Sequence, residues 1–162
     1  MQMRRDFAKM LLTEMRKDRG KNIILITADM GYGLWDDIRK EFFDRFFNVG
    51  SAEQFMIGVA AGLAMEGKTP ICYSITSFLL YRPFEFIRNF MEYEKLPIKL
   101  VGGGRDKDYG YLGFTHWAEE DMAIMKQFKS IISSKPPTVL DLTNEFLLFL
   151  HDEKPHYINL IK

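Results

Sequence analysis

The chain has 162 residues, enough for one domain over residues 1–162 that buries roughly 70% of its unfolded surface. Basic and acidic side chains balance at 22 each and hydrophobic residues make up 47%, which excludes a disordered chain and the one-signed charge that nucleic acid or an anionic membrane surface attracts. The single cysteine, Cys72, has no partner for an intrachain disulfide and fits a reducing cytoplasm.

Met3, Phe7, Met10, Leu11 and Met15 recur at three- and four-residue steps and predict an amphipathic helix over 3–18, stopped by Gly20. Lys9 and Glu14 interrupt any apolar core there, so the segment is not read as a secretory leader. No run approaches the ~20 apolar residues of a membrane span. A β-branched run at 22–27 predicts a buried strand, followed by a loop at 29–33, a short helix at 34–43 and a second strand at 45–49. Ser51 and Gln54 have the S-x-x-Q spacing of a capping box and open a predicted helix over 51–66, rich in Gly and Ala and followed by Gly67. A third strand is expected at 70–75, and a helix at 84–94 with Pro83 in its first turn. Beyond it come a strand at 97–101, a long glycine-rich loop at 102–115, a helix at 118–127 and a short strand at 130–133. A helix at 138–151 and a last strand at 156–161 complete the chain.

Strands therefore alternate with helices throughout. That order predicts a three-layer α/β/α fold with a mostly parallel sheet, in which ligands bind beyond the carboxyl ends of the strands. The loops at 28–33, 49–53 and 102–116 then carry most of the functional interest.

Gly62 to Thr69 matches the phosphate-loop pattern G-x-x-x-x-G-K-[ST], but in the wrong context. That loop follows a strand and opens a helix, so that amides face the phosphate; here a helix precedes it and a strand follows. It is rejected as a nucleotide site.

Three segments carry possible chemistry. The first is Phe47-Asn-Val-Gly-Ser-Ala-Glu53-Gln54, running from a strand end into a helix start. By position alone Glu53 is an ordinary first-turn carboxylate, complementing the helix dipole by about 0.3–1 kcal/mol. The second is Ser77-Phe78-Leu-Leu-Tyr81-Arg82-Pro-Phe84, whose aromatic residues at i, i+3 and i+6 also suit core packing. The third is Gly110-Tyr-Leu-Gly113-Phe-Thr115-His116, followed by Glu120 and Asp121. His151 and His156 lack any partner pattern. There is no C-x-x-C or H-E-x-x-H, so the sequence offers no metal site of its own.

In this order the three segments resemble the pyrimidine-binding domain of transketolase and 1-deoxyxylulose-5-phosphate synthase, over about residues 3–162. The stretch NVGSAEQFMIGVAAGLAMEGKTPI is the most specific part. The resemblance implies thiamine diphosphate as cofactor, with Glu53 hydrogen-bonding N1′ of its aminopyrimidine and promoting the tautomer that removes the thiazolium C2 proton. It implies Phe78, Tyr81 and Phe84 around the pyrimidine ring, Asp29 and Met30 near the cofactor rings, and His116 facing the substrate.

Two departures from the family matter. Where the family has D-G-P-T-H, residues 112–116 read Leu-Gly-Phe-Thr-His, and a second substrate histidine is replaced by the run Gly102-Gly103-Gly104-Arg105. Substrate contacts are thus expected to differ while cofactor contacts are kept; Arg105 is read as a solvated loop residue. No G-D-G segment, the family's signature for holding the diphosphate through Mg²⁺, occurs in the sequence. The resemblance therefore implies half of a split transketolase, a homodimer within a heterotetramer whose partner subunit binds diphosphate and Mg²⁺, passing a two-carbon ketol unit from a ketose donor to an aldehyde acceptor. The alternatives are a 2-oxo acid decarboxylase or dehydrogenase half, and a regulatory module that kept only the fold.

Overall fold

The computed structural model describes residues 2–162. Helix α1 (Gln2–Met15) leads into strand β1 (Ile23–Thr27), and α2 (Asp36–Glu41) into β2 (Phe46–Asn48). Helix α3 (Glu53–Met65) precedes β3 (Thr69–Ile75), which passes directly into α4 (Thr76–Tyr81). A turn of helix, α5 (Phe84–Phe86), runs on into a π-helix (Ile87–Tyr93) before β4 (Lys99–Gly103). Two 3₁₀ turns, Gly110–Leu112 and Phe114–His116, punctuate the following loop. Helix α6 (Asp121–Met125), β5 (Ile132–Ser134), α7 (Val139–His151) and β6 (His156–Leu160) complete the order.

The six strands among the described residues are all parallel, in the order β2-β1-β3-β4-β6-β5. The two faces of the sheet seed two separate cores, because successive side chains on a strand point to opposite sides. Ile23 and Leu25 of β1, Ile71 and Tyr73 of β3, and Ile158 of β6 face α1, α2 and α7, where they meet Phe7, Leu11, Ile38 and Phe146. Ile24, Ile26, Cys72, Leu100 and Tyr157 face the other way, toward Met56, Ile57 and Ala60 of α3 and toward Leu79 and Met91. Both faces being covered explains why the strands read as continuous apolar runs. Cys72 lies wholly buried in the middle of β3.

Several boundaries differ from the sequence reading. Helix α3 starts at Glu53, its N-cap is Ala52 without a side-chain cap, and the Ser51–Gln54 capping box does not form. The chain leaves β2 through Gly50 at φ 75°, and the Ala52 amide donates to the Gly50 carbonyl at 2.7 Å. That tight turn carries Ser51 out of the capping position. A side chain does cap α7: Thr138 and Asp141 make a reciprocal capping box. The expected α-helix at 84–94 is mostly π-helical, and the unforeseen α4 lies ahead of it. Gly102 and Gly103 belong to β4, not to the loop, and pair with Ser74 and Ile75 of β3.

Gly62 is inside α3 and Thr69 opens β3, so the formal phosphate-loop match has the helix before the strand. Arg105, expected in solvent, is buried. Its guanidinium donates to the carbonyls of Asn159 and Pro136, both at 2.6 Å, and so ties the loop after β4 to β6. Burial holds its pKa below the usual arginine value. Among the described residues no helix is long and apolar enough to cross a membrane.

Candidate active site

The strand order reverses at β1, with β2 on one side and β3 on the other. In a parallel sheet such a reversal opens a crevice beyond the carboxyl ends of the strands. The segments that follow β1, β2 and β3 therefore share one rim of the molecule.

Glu53 enters this rim from the first turn of α3. It is only 2% exposed, because its side chain turns back over the sheet instead of outward. Ser74 Oγ, from β3, donates to Oε1 at 3.3 Å. Arg82 Nη1 donates to both carboxylate oxygens at 2.8 Å. A buried carboxylate needs such partners, since an unpaired charge in the interior is costly.

Helix α4 projects the aromatic segment over the same rim. The Arg82 guanidinium carbon lies 3.8 Å above the centroid of the Phe78 ring, a cation–π stack. Phe78 in turn meets the His116 ring edge-on, with centroids 4.9 Å apart. Thr115 Oγ1 lies 3.0 Å from His116 Nδ1, and the Thr115 carbonyl accepts from Ser77 Oγ at 2.9 Å. The Ser77–Thr115 bond and the Phe78–His116 contact fasten the glycine-rich loop to α4. The result is a continuous sequence of contacts: Ser74, Glu53, Arg82, Phe78, His116.

Tyr81 and Phe84 sit apart from it. Phe84 packs on Phe128 at 5.5 Å between centroids, and Tyr81 packs against the core beneath α3. Burial, and then the Glu120 carboxylate, push the Tyr81 hydroxyl well above its ordinary pKa. Asp29 and Met30 line a cavity of about 350 Å³ together with Trp35, Phe46 and Asn48, and neither Glu53 nor Phe78 borders it. Asp29 adopts φ 55°, its amide donates to Asn48 Oδ1 at 2.9 Å, and its carboxylate accepts from the Tyr32 hydroxyl at 2.6 Å. The Tyr32 bond first, then that from Asn48, hold its pKa below the usual aspartate value. Asn48 Oδ1 also accepts from the Gly50 amide at 3.1 Å, linking the loop after β1 to the turn that leads into Glu53.

Sequence reasoning gave no role to Arg82, Ser74 or Asn48. Arg82 stood inside the aromatic segment, yet an exposed arginine carries no signal until a buried acid is found beside it. Leu112, in place of the family's acidic residue, is part-exposed on the first 3₁₀ turn.

The pair formed by a buried carboxylate and an aromatic face suits a flat, protonatable heterocycle. A planar guanidinium already lies there, on the ring and on both carboxylate oxygens, so the geometry fits the aminopyrimidine of thiamine diphosphate.

Comparison with known proteins agrees. The transketolase pyrimidine-binding domain model matches residues 1–162. The chain is 34% identical over 159 residues to a putative transketolase C-terminal section of Methanocaldococcus jannaschii, covering 98% of this chain and 50% of that protein. It is 31% identical to a 6-deoxy-6-sulfo-D-fructose transketolase subunit of a Clostridium species, covering 99% of this chain and 49% of that one. A solved structure described as a split-gene transketolase, inactive beta4 tetramer, superposes with a TM-score of 0.84 at 31% identity, covering 98% of this chain and 50% of the other. The chain thus spans about half the length of these relatives. The chain belongs to the transketolase pyrimidine-binding domain family.

Proposed function

We propose that this chain is the aminopyrimidine-binding half of a two-subunit, thiamine-diphosphate-dependent transketolase. The observation that carries this reading is the buried Glu53 carboxylate, linked through Arg82 to the Phe78 ring and its neighbour His116. The relatives named as a transketolase section and a transketolase subunit support a division of the active site between two chains. A diphosphate-binding subunit supplies the Mg²⁺ site, since the present sequence has no G-D-G segment.

When bound, thiamine diphosphate supplies the carbanion chemistry that cleaves and remakes a carbon–carbon bond beside a carbonyl. The chain's own residues bind, orient and move protons. Glu53 shares a proton with the pyrimidine ring nitrogen, which a carboxyl can do and an amide cannot. Phe78 offers its ring face, while Tyr81 and Phe84 support the segment from the core side and Asp29 and Met30 line a separate cavity after β1. His116, anchored through Nδ1 to Thr115, presents its other nitrogen to a substrate oxygen. Apolar Leu112 favours a ketose donor or aldehyde acceptor lacking the hydroxyl that an acid at this position would bind.

Two copies of the chain pair through the outer face of α3. That helix is apolar all round, yet Phe55 and Met65 are 61% and 68% exposed beside Gly58 and Gly62. A helix of this kind is normally covered. The structural relative described as a tetramer of β chains supports self-association. The free, buried Cys72 fits a cytoplasmic setting.

The test is co-expression with the diphosphate-binding subunit and assay of ketol transfer. Activity is expected only from the pair, and Glu53→Gln should lower it by about 10²–10⁴-fold, the range for loss of a positioned acid–base group. Release of CO₂ from 2-oxo acids, or full turnover by the Gln variant, would overturn the reading.

A further inference from the structure

We infer that Arg82 is a built-in occupant of the pyrimidine site, closing it in the cofactor-free chain and displaced when cofactor binds. The inference rests on the function proposed above. Its basis is that one side chain makes both contacts the heterocycle requires. The Arg82 guanidinium is planar, stacks 3.8 Å from the Phe78 ring centroid, and donates through Nη1 to both oxygens of Glu53 at 2.8 Å. A flat ring resting on Phe78 and sharing a proton with Glu53 needs the same space and the same carboxylate.

The occupant is built to leave. The Arg82 side chain is 46% exposed, and among the described residues its Nε and Nη2 make no hydrogen bond. Its backbone sits at the C-cap of α4, ahead of Pro83, so the side chain swings out without unwinding a helix. Ser74 remains on Glu53 when it does, so the carboxylate is not orphaned. While the site is empty, the guanidinium neutralises a buried acid and shields an aromatic face from water.

A closed state of this kind reduces apparent affinity by the fraction of molecules that are open. A half-exposed ion pair and one cation–π contact together favour closure by about three- to thirtyfold. The experiment is a titration of the assembled two-subunit complex with thiamine diphosphate and Mg²⁺, followed by intrinsic fluorescence and stopped-flow association. Arg82→Met should bind about three- to thirtyfold more tightly than wild type, mainly through faster association, with Arg82→Lys between the two. Added salt should speed association for wild type relative to Arg82→Met, because it weakens the pair with Glu53. Equal or weaker binding by Arg82→Met, with wild-type binding intact, overturns the inference and leaves the functional reading standing. No binding by either complex overturns both.

Discussion

At the scale of single residues, the molecule spends its buried charges in two ways. Glu53 is held at a rim where its partner Arg82 is half exposed. Glu14, on α1, is locked: Arg19, Lys17 at 2.7 Å and His151 at 2.9 Å all converge on its buried carboxylate. The Arg19 bond is the largest influence and, against the cost of burial, brings the Glu14 pKa down from 4.5 to about 2. The unfolded chain therefore binds that proton more tightly than the folded one. The resulting stabilisation is complete above about pH 4.5 and is lost as the pH falls toward 2. Glu14→Gln should flatten this acid limb and lower stability near neutrality by about 1–3 kcal/mol, because a buried partner of the cations is lost. Urea unfolding at pH 3 and pH 7 measures both. Lys17 and Arg19 are about half exposed, so added salt should shrink the difference.

At the scale of elements, β4 and α4 show how close approach builds the site. A side chain at Gly102 would place its Cβ 2.6 Å from Thr76 Oγ1, and one at Gly103 would lie 2.6 Å from the Tyr73 hydroxyl. Thr76 Oγ1 donates to the Gly104 carbonyl at 2.7 Å, so α4 and the end of β4 are bonded through this gap. Gly102→Ala should break that bond and shift α4, at a cost of about 1–3 kcal/mol, measured by chemical denaturation. The sequence made the strands and the long helices legible, because β-branched runs and three- and four-residue spacings are local signals. It hid what depends on distant partners. Ser51 and Gln54 had capping spacing, but the turn at Gly50 moved the start of the helix. Ile87, Phe90 and Met91 fit an α-helix as well as the π-helix they form, and the Glu92 carboxylate there accepts from the amides of Lys129 and Ser130, far along the chain. In the candidate site, Glu53, Phe78 and His116 were readable only as a set, in family order. Arg82 and Ser74 emerged when the fold brought β3 and α4 against α3.

At the scale of the whole molecule, the cores on either face of the sheet are closed, whereas the outer face of α3 is not. The proposed pairing of two chains places Gly58 and Gly62 at the contact, and a Cβ at Gly62 would meet nothing within 4 Å in the single chain. Gly62→Arg should therefore leave the monomer folded while blocking self-association. Sedimentation velocity is expected to show a shift to monomer, with an unchanged far-ultraviolet circular dichroism spectrum. A variant that still dimerises would place the contact elsewhere.

Cys72 gives the fold an internal clock. The lone thiol sits in the core that faces α3, on the strand that leads into α4, and burial pushes its pKa far up. An alkylating reagent can reach it only when the central sheet parts from the helices over it. The rate of labelling thus times the opening of the very strand that carries Ser74, with no probe added to the chain.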